Sequence, residues 1–194
     1  MNVRTTIVFS SLALIYLATL PLTPYVAQFL PKALPIVVLA VFAYTKLSAM
    51  PRYMVLAALL FSLAGDVSLA LPFADSFITG LACFFVAHLT YAMCFALLHR
   101  RLQETPGDHI ISRKPKWFIS IIMASFAVMM AVHILPASKA LFYPVVAYIS
   151  VITLMGLTAV WLAQTKLIVT GALLFVISDA ILAQSVFKIP LPLS

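Results

Sequence analysis

Five carboxylic acids occur in this chain of 194 residues, and two of them interrupt long apolar runs. Asp75, Glu104 and Asp108 fall in polar connections, whereas Asp66 and Asp179 stand inside stretches suited to a bilayer. An ionised side chain at the centre of a spanning helix costs about 2.5–3.5 kcal/mol on insertion scales, so an intramembrane acid is a functional candidate by default. The two acids share a setting. Ala58-Leu-Leu-Phe61 precedes Asp66-Val-Ser-Leu69-Ala70, and Ala172-Leu-Leu-Phe175 precedes Asp179-Ala-Ile-Leu182-Ala183. Both copies read ALLF, a gap, then D-x-x-L-A, with the gap differing by one residue. At 1.5 Å per residue the acids lie roughly 8 and 12 Å from the same end of their spans, and are expected to share one cavity. Two carboxyl groups in a low-dielectric site suit acid–base chemistry, because one of such a pair can hold a proton while the other holds charge. The plainer reading is a carboxyl that bonds between helices, or one paired with Lys32.

Other polar groups stand near the same depth. Lys32 opens the second apolar run, as a snorkelling lysine or as a cation for a phosphate head group or for the two carboxylates. His88 and Tyr91 are three residues apart, on one face of a helix. Tyr148 lies seven residues inside the sixth run. Each of these is also the kind of residue that merely hydrogen-bonds within a core. Ser62 precedes Asp66 by one turn and Ser178 adjoins Asp179; small hydroxyl residues commonly pack helices together.

Several chemistries are not supported. His88, His99, His109 and His133 show no spacing that would hold zinc, so no metal is expected. No G-x-S-x-G element marks a serine hydrolase. Cys83 and Cys94 are 11 residues apart in one predicted helix, roughly 16 Å, and cannot pair with each other. The net charge of +7 suggests nucleic acid, but the basic residues sit in short connections, where topology signals belong.

The elements that must position these groups follow from composition. Hydrophobic residues make up 64% of the chain and charged residues 9%, against roughly 25% charged in soluble domains. Only lipid solvates so much apolar surface. Backbone in lipid must bond to itself, and unbroken apolar runs rather than alternation call for helices. The sequence therefore predicts an all-α polytopic transmembrane bundle, one domain over residues 1–194. Spans are expected at about 3–22, 33–50, 53–71, 76–99, 117–135, 141–162 and 167–187. The first is read as a retained span rather than a cleaved leader. Pro21, Pro24 and Pro31 fill the first connection, Pro51 and Pro72 separate spans, Pro136 ends the fifth, and Pro35 and Pro144 sit near helix starts. The one sizeable loop is 100–116. Nine of the 12 Lys and Arg residues fall at the N-terminus and the loops after spans two, four and six. That bias predicts a cytoplasmic N-terminus, a cytoplasmic 100–116 loop and, in a bacterium, the inner membrane. The D-x-x-L-A repeat joins spans of one direction, so it predicts a parallel four-plus-four arrangement. That repeat calls for an eighth helix after span seven, but the sequence there reads Pro190-Leu-Pro-Leu-Ser194, so seven spans are expected in this chain and the eighth is expected to be missing.

At these residues the sequence resembles the YhhN-type lysoplasmalogenase family. The likeness runs through Phe61-Ser-Leu-Ala-Gly65-Asp66, Leu71-Pro72, Gly80-Leu81, Ala87-His88 with Tyr91, and Leu174-Phe175-Val-Ile-Ser178-Asp179. Lys32-Ala-Leu-Pro35 is similar to the family's Lys-Pro-Leu element, with Ala33 in place of proline. The resemblance covers residues 31 to 190 and implies eight spans. It implies cleavage of the vinyl ether of a lysophospholipid to a fatty aldehyde and a glycerophospho-head group, without a cofactor. Asp66 and Asp179 are then the catalytic candidates, and Lys32, His88, Tyr91, Tyr148, Ser62 and Ser178 the substrate-binding ones. The expected partners are the lysophospholipid substrate and membrane lipids, not nucleic acid. Paired carboxylates, a lysine and a parallel repeat also suit a proton- or ion-coupled transporter; seven spans also suit a receptor or structural protein.

Overall fold

The computed structural model describes residues 3–19, 29–47, 49–103, 113–162 and 166–187. Every regular element among them is helical. In chain order they are α1 (Val3–Thr19), α2 (Phe29–Lys46), α3 (Ala49–Ala70), α4 (Ser76–Gln103), α5 (Arg113–Ser138), α6 (Phe142–Leu162) and α7 (Lys166–Val186). A single 3₁₀ turn, Lys139–Leu141, joins α5 to α6. Four helical stretches are long and apolar enough to cross a membrane: Met50–Ala70, Ser76–Arg100, Lys116–Leu162 and Ile168–Val186. The third of these contains both α5 and α6.

Proline placement departs from the sequence expectation. Pro31 and Pro51 do not separate spans; they are the third residues of α2 and α3. The first-turn N–H groups have no intrahelical acceptor, so proline loses nothing there. Pro35 lies inside α2 rather than at its start, because the helix begins at Phe29. Pro136 does not end α5, which continues to Ser138. One forfeited backbone bond is a smaller cost in lipid than ending the helix and leaving several groups unbonded. Pro72 does stand between α3 and α4. The 100–116 loop is shorter than expected, since α4 runs to Gln103 and α5 starts at Arg113. Pro21, Pro24, Glu104, Asp108, His109, Lys188 and the Pro190–Ser194 segment lie outside the described residues.

The chain divides into two compact units, Met1–Tyr91 and Ala92–Ser194. In the first, α2 packs on both α1 and α3. Arg52 closes the α2–α3 turn. Its Nε donates to the Leu47 carbonyl oxygen at 2.7 Å, and its guanidinium lies 5.3 Å from the Tyr44 ring centre. Helix α3 meets α4 through glycines. A Cβ on Gly65 would lie 2.8 Å from the Phe84 ring, and one on Gly80 would lie 2.7 Å from Leu69. Phe84 in turn stacks on His88, with ring centres 6.4 Å apart.

In the second unit, α6 packs against α5 and α7. Its buried positions include Val145, Ile152, Met155 and Ala159, and those of α7 include Val169, Ala172 and Val176. These are the three- and four-residue steps of helices packed lengthwise. One end of α5–α6 is tied by polar bonds. Lys116 Nζ donates to the Trp161 carbonyl at 3.1 Å, Trp161 Nε1 donates to Ser120 Oγ at 2.9 Å, and Trp117 meets Trp161 edge-on at 4.9 Å. Indoles with one polar handle suit a membrane–water boundary. Cys83 and Cys94 are both free thiols.

The glycine contacts predict opposite outcomes for one substitution. Gly65→Ala forces the new methyl into the Phe84 ring and is expected to cost about 1–3 kcal/mol of stability. At Gly171 a methyl group would meet nothing among the described residues within 4 Å. Gly171→Ala is therefore expected to stabilise α7 by roughly 0.5–1 kcal/mol. Thermal unfolding of the two purified variants checks this; equal shifts would remove the close approach of α3 and α4.

Candidate functional site

Each unit holds one intramembrane acid, and each acid has a polar partner on a neighbouring helix of its own unit. In the first unit, Asp66 lies four residues before the end of α3, one turn beyond Ser62 and beside Gly65. Lys32, the fourth residue of α2, places its Nζ 2.6 Å from Asp66 Oδ1. The two side chains are 23% and 17% exposed, so the pair is largely withdrawn from its surroundings. Lysine thus meets the carboxylate, one of the roles open to it from the sequence. An ammonium has donors only, and a carboxylate acceptors only, so the two groups are complementary.

Beneath this pair the helices carry more polar groups than apolar packing requires. Ser62 is 4% exposed, and its Oγ has no hydrogen-bond partner among the described residues. His88 on α4 is fully buried, and Tyr91, one turn on, is half-buried. Gly65 brings α3 close enough to α4 for Phe84, the residue one turn before His88, to touch its backbone.

In the second unit, Asp179 continues the buried face of α7, three residues beyond Val176. Tyr148 occupies the matching stripe on α6, between Val145 and Ile152. The Tyr148 hydroxyl donates to Asp179 Oδ2. Ser178, one residue away and about 100° around the helix, is exposed on a different face. Ser178 therefore stands apart from the Tyr148 bond, although the two residues are adjacent in sequence.

The structure thus joins Lys32 to Asp66 and Tyr148 to Asp179. The tyrosine–aspartate pairing is not among the sequence expectations, although a signal for it exists. The steps 169, 172, 176, 179 on one helix and 145, 148, 152, 155 on the other each form a single stripe. Gly65 and Phe84, where α3 and α4 approach closely beside Asp66 and His88, are not among the sequence candidates; the adjacency of Gly65 to Asp66 is the available sign. No group of three His, Cys, Asp or Glu side chains comes together among the described residues.

The family model described as the YhhN family matches residues 27–194. Neither the curated proteins nor the solved structures compared with the chain include a match.

Proposed function

This chain belongs to the YhhN family, and we propose that it is a membrane hydrolase acting on the vinyl ether bond of lysoplasmalogen-type lysophospholipids. The observation that carries this reading is the pair of intramembrane acids, each given a polar partner: Asp66 by Lys32 and Asp179 by Tyr148. Vinyl ethers open when a proton adds to the outer alkene carbon and an oxocarbenium ion forms at the carbon bearing oxygen. Water adds to that carbon, and the hemiacetal collapses to aldehyde and alcohol. The reaction requires an acid that delivers a proton and a group that tolerates the developing cation. Carboxyl groups meet both needs, and apolar helices are a natural surround for a lipid chain.

His88, Tyr91 and Ser62 are proposed as substrate contacts on the helices that carry or adjoin Asp66; Ser178, exposed on another face of α7 than Asp179, has no part in this reading. Incubation of the purified protein with a vinyl-ether lysophospholipid tests the reading. Fatty aldehyde should be released, and the saturated ether analogue should be inert. An intact vinyl-ether substrate after prolonged incubation would overturn it.

We further propose that all seven described helices cross the bilayer, with the N-terminus in the cytoplasm. The basis is the length of the apolar runs and the nine-to-three distribution of Lys and Arg. A Gly107→Cys variant lacking Cys83 and Cys94 checks the orientation. An impermeant maleimide should label it only after the cells are opened; labelling of intact cells would reverse the topology.

A further inference from the structure

Serine and threonine hydroxyls on helices commonly bond to the carbonyl one turn back. Thr45, Thr90, Ser120, Ser150 and Thr153 each donate to the carbonyl four residues earlier, at 2.6 to 3.0 Å. Ser62 departs from this habit. Its Oγ is buried and makes no hydrogen bond among the described residues. A buried hydroxyl left unmatched is costly, and such groups are ordinarily met by protein or by ordered water.

Helix geometry fixes where this oxygen faces. Residues turn by about 100° each, so Ser62 stands roughly 60° from Gly65 and 40° from Asp66, on the arc between them. Gly65 meets α4 through the Phe84 ring, and Asp66 meets α2 through Lys32. Ser62 therefore faces the seam where α2, α3 and α4 converge. The contacts Gly65–Phe84 and Leu69–Gly80 set α3 and α4 antiparallel, and the same register brings Ala87 level with Ser62. Ala87 and Ala58, the residue one turn before Ser62, are both fully buried. An oxygen so enclosed suits a ligand of one heavy atom rather than a glycerol.

A second polar group lies within reach. Side chains lean toward the helix N-terminus, so Asp66 leans back over the turn that carries Ser62. Four residues rise about 6 Å, and one water bonded at both ends spans about 5.5 Å. A carboxylate offers about four acceptor sites, so a bond from water joins those that Asp66 already makes, the Lys32 ammonium among them. Ser62 and Asp66 supply two of the roughly two to four polar partners that an internal water takes.

We infer that Ser62 binds a water molecule in this seam, and that this is the water consumed in hydrolysis. The inference rests on the hydrolase reading above and says which of the two substrates Ser62 serves. The Ser62 hydroxyl donates to the water oxygen, and the water donates to Asp66. The second lone pair of the water is left for the oxocarbenium carbon. As that C–O bond forms, one water proton passes to the carboxyl group that protonated the alkene, and the other stays on the hemiacetal hydroxyl. The hydroxyl proton moves to the departing oxygen when the hemiacetal C–O bond breaks, giving aldehyde and head-group alcohol. One water is consumed and the acid is restored.

The first test needs no turnover. In a crystal structure of the full chain from a lipidic mesophase, resolved well enough to show ordered water, a water should lie within about 3.0 Å of Ser62 Oγ. It should be lost in Ser62→Ala. A lipid oxygen at that position, or a bare Oγ, would overturn the inference, and the parent structure decides this even if the variant does not fold. Thermal unfolding adds a sign. Ser62→Ala should unfold at or below the parental temperature; a rise would mark an orphan hydroxyl better removed and would overturn the water site. On the vinyl-ether lysophospholipid, Ser62→Ala should lower kcat at least about 10-fold with KM near the parental value. A change confined to KM would give the hydroxyl to the lipid instead. Methanol, added as a competing nucleophile, converts the oxocarbenium ion to a methyl acetal. The acetal share should rise in Ser62→Ala, because the water is no longer held; an equal share in parent and variant would overturn the role in hydrolysis. A parent that releases no aldehyde would end the hydrolase reading, while the density at Ser62 still decides whether the seam binds water.

Discussion

Asp66→Asn and Asp179→Asn are each expected to slow aldehyde release by at least about 10²-fold, and up to about 10⁴-fold. The amide keeps the size of the side chain and most of its hydrogen bonds but carries neither the acid proton nor the charge. If the two groups act as one unit, the double variant should be scarcely slower than either single one. Stability separates them. Asp179→Asn still accepts from the Tyr148 hydroxyl and removes a potential intramembrane charge, so it should unfold at the parental temperature or above. Asp66→Asn strips Lys32 of its counter-charge and should unfold earlier. Aldehyde assays and thermal unfolding on the same detergent-purified samples test both parts. Near-parental turnover by either variant would take that residue out of the mechanism.

Lys32→Met is expected to destabilise the fold by about 1–3 kcal/mol, and Asp66→Asn in the same chain should recover most of that loss. Removing one member of a buried ion pair leaves an uncompensated charge, at roughly 3–5 kcal/mol for full burial. Side chains 23% and 17% exposed place this pair below that range. The sign is the informative part: each single variant is worse than the double. On the sequence alone, Lys32 as a head-group cation would raise KM when removed. Bound to Asp66, it should instead lower kcat with KM near the parental value. A rise in KM alone would return Lys32 to head-group binding, and additive stability changes would dissolve the pair.

Much of this arrangement is legible from residue types. Asp66 and Asp179 stand out because charge in an apolar run needs a reason, and a lysine at the head of α2 is an obvious counter-ion. The helical class follows from hydropathy alone. Helix ends are harder, because the cost of proline depends on position within a turn. Pro31 and Pro51 read as boundaries, yet they fill first-turn sites where no bond is lost. The Tyr148–Asp179 bond depends on the relative register of α6 and α7, which hydropathy does not set. The buried stripes set it, through the packing of Val145 and Ile152 on one helix and Ala172 and Val176 on the other. Likewise, sequence adjacency suggests that Ser178 accompanies Asp179, but one residue of helix turns it to another face.

The connection between α5 and α6 contains no slack. Three residues of 3₁₀ turn carry the chain from Ser138 to Phe142, with Lys139 at φ 44° as the one left-handed residue among those described. Ser138 Oγ donates to the Leu135 carbonyl, and the Phe142 N–H donates to that of Lys139, so both ends of the turn are bonded. In mechanical terms the hairpin is a stiff linkage rather than two rods on a string. With so short a bonded turn, a displacement of α5 along the membrane normal, as when the bilayer thins or thickens around it, is expected to be shared by α6, which carries Tyr148 six residues along and with it the bond to Asp179.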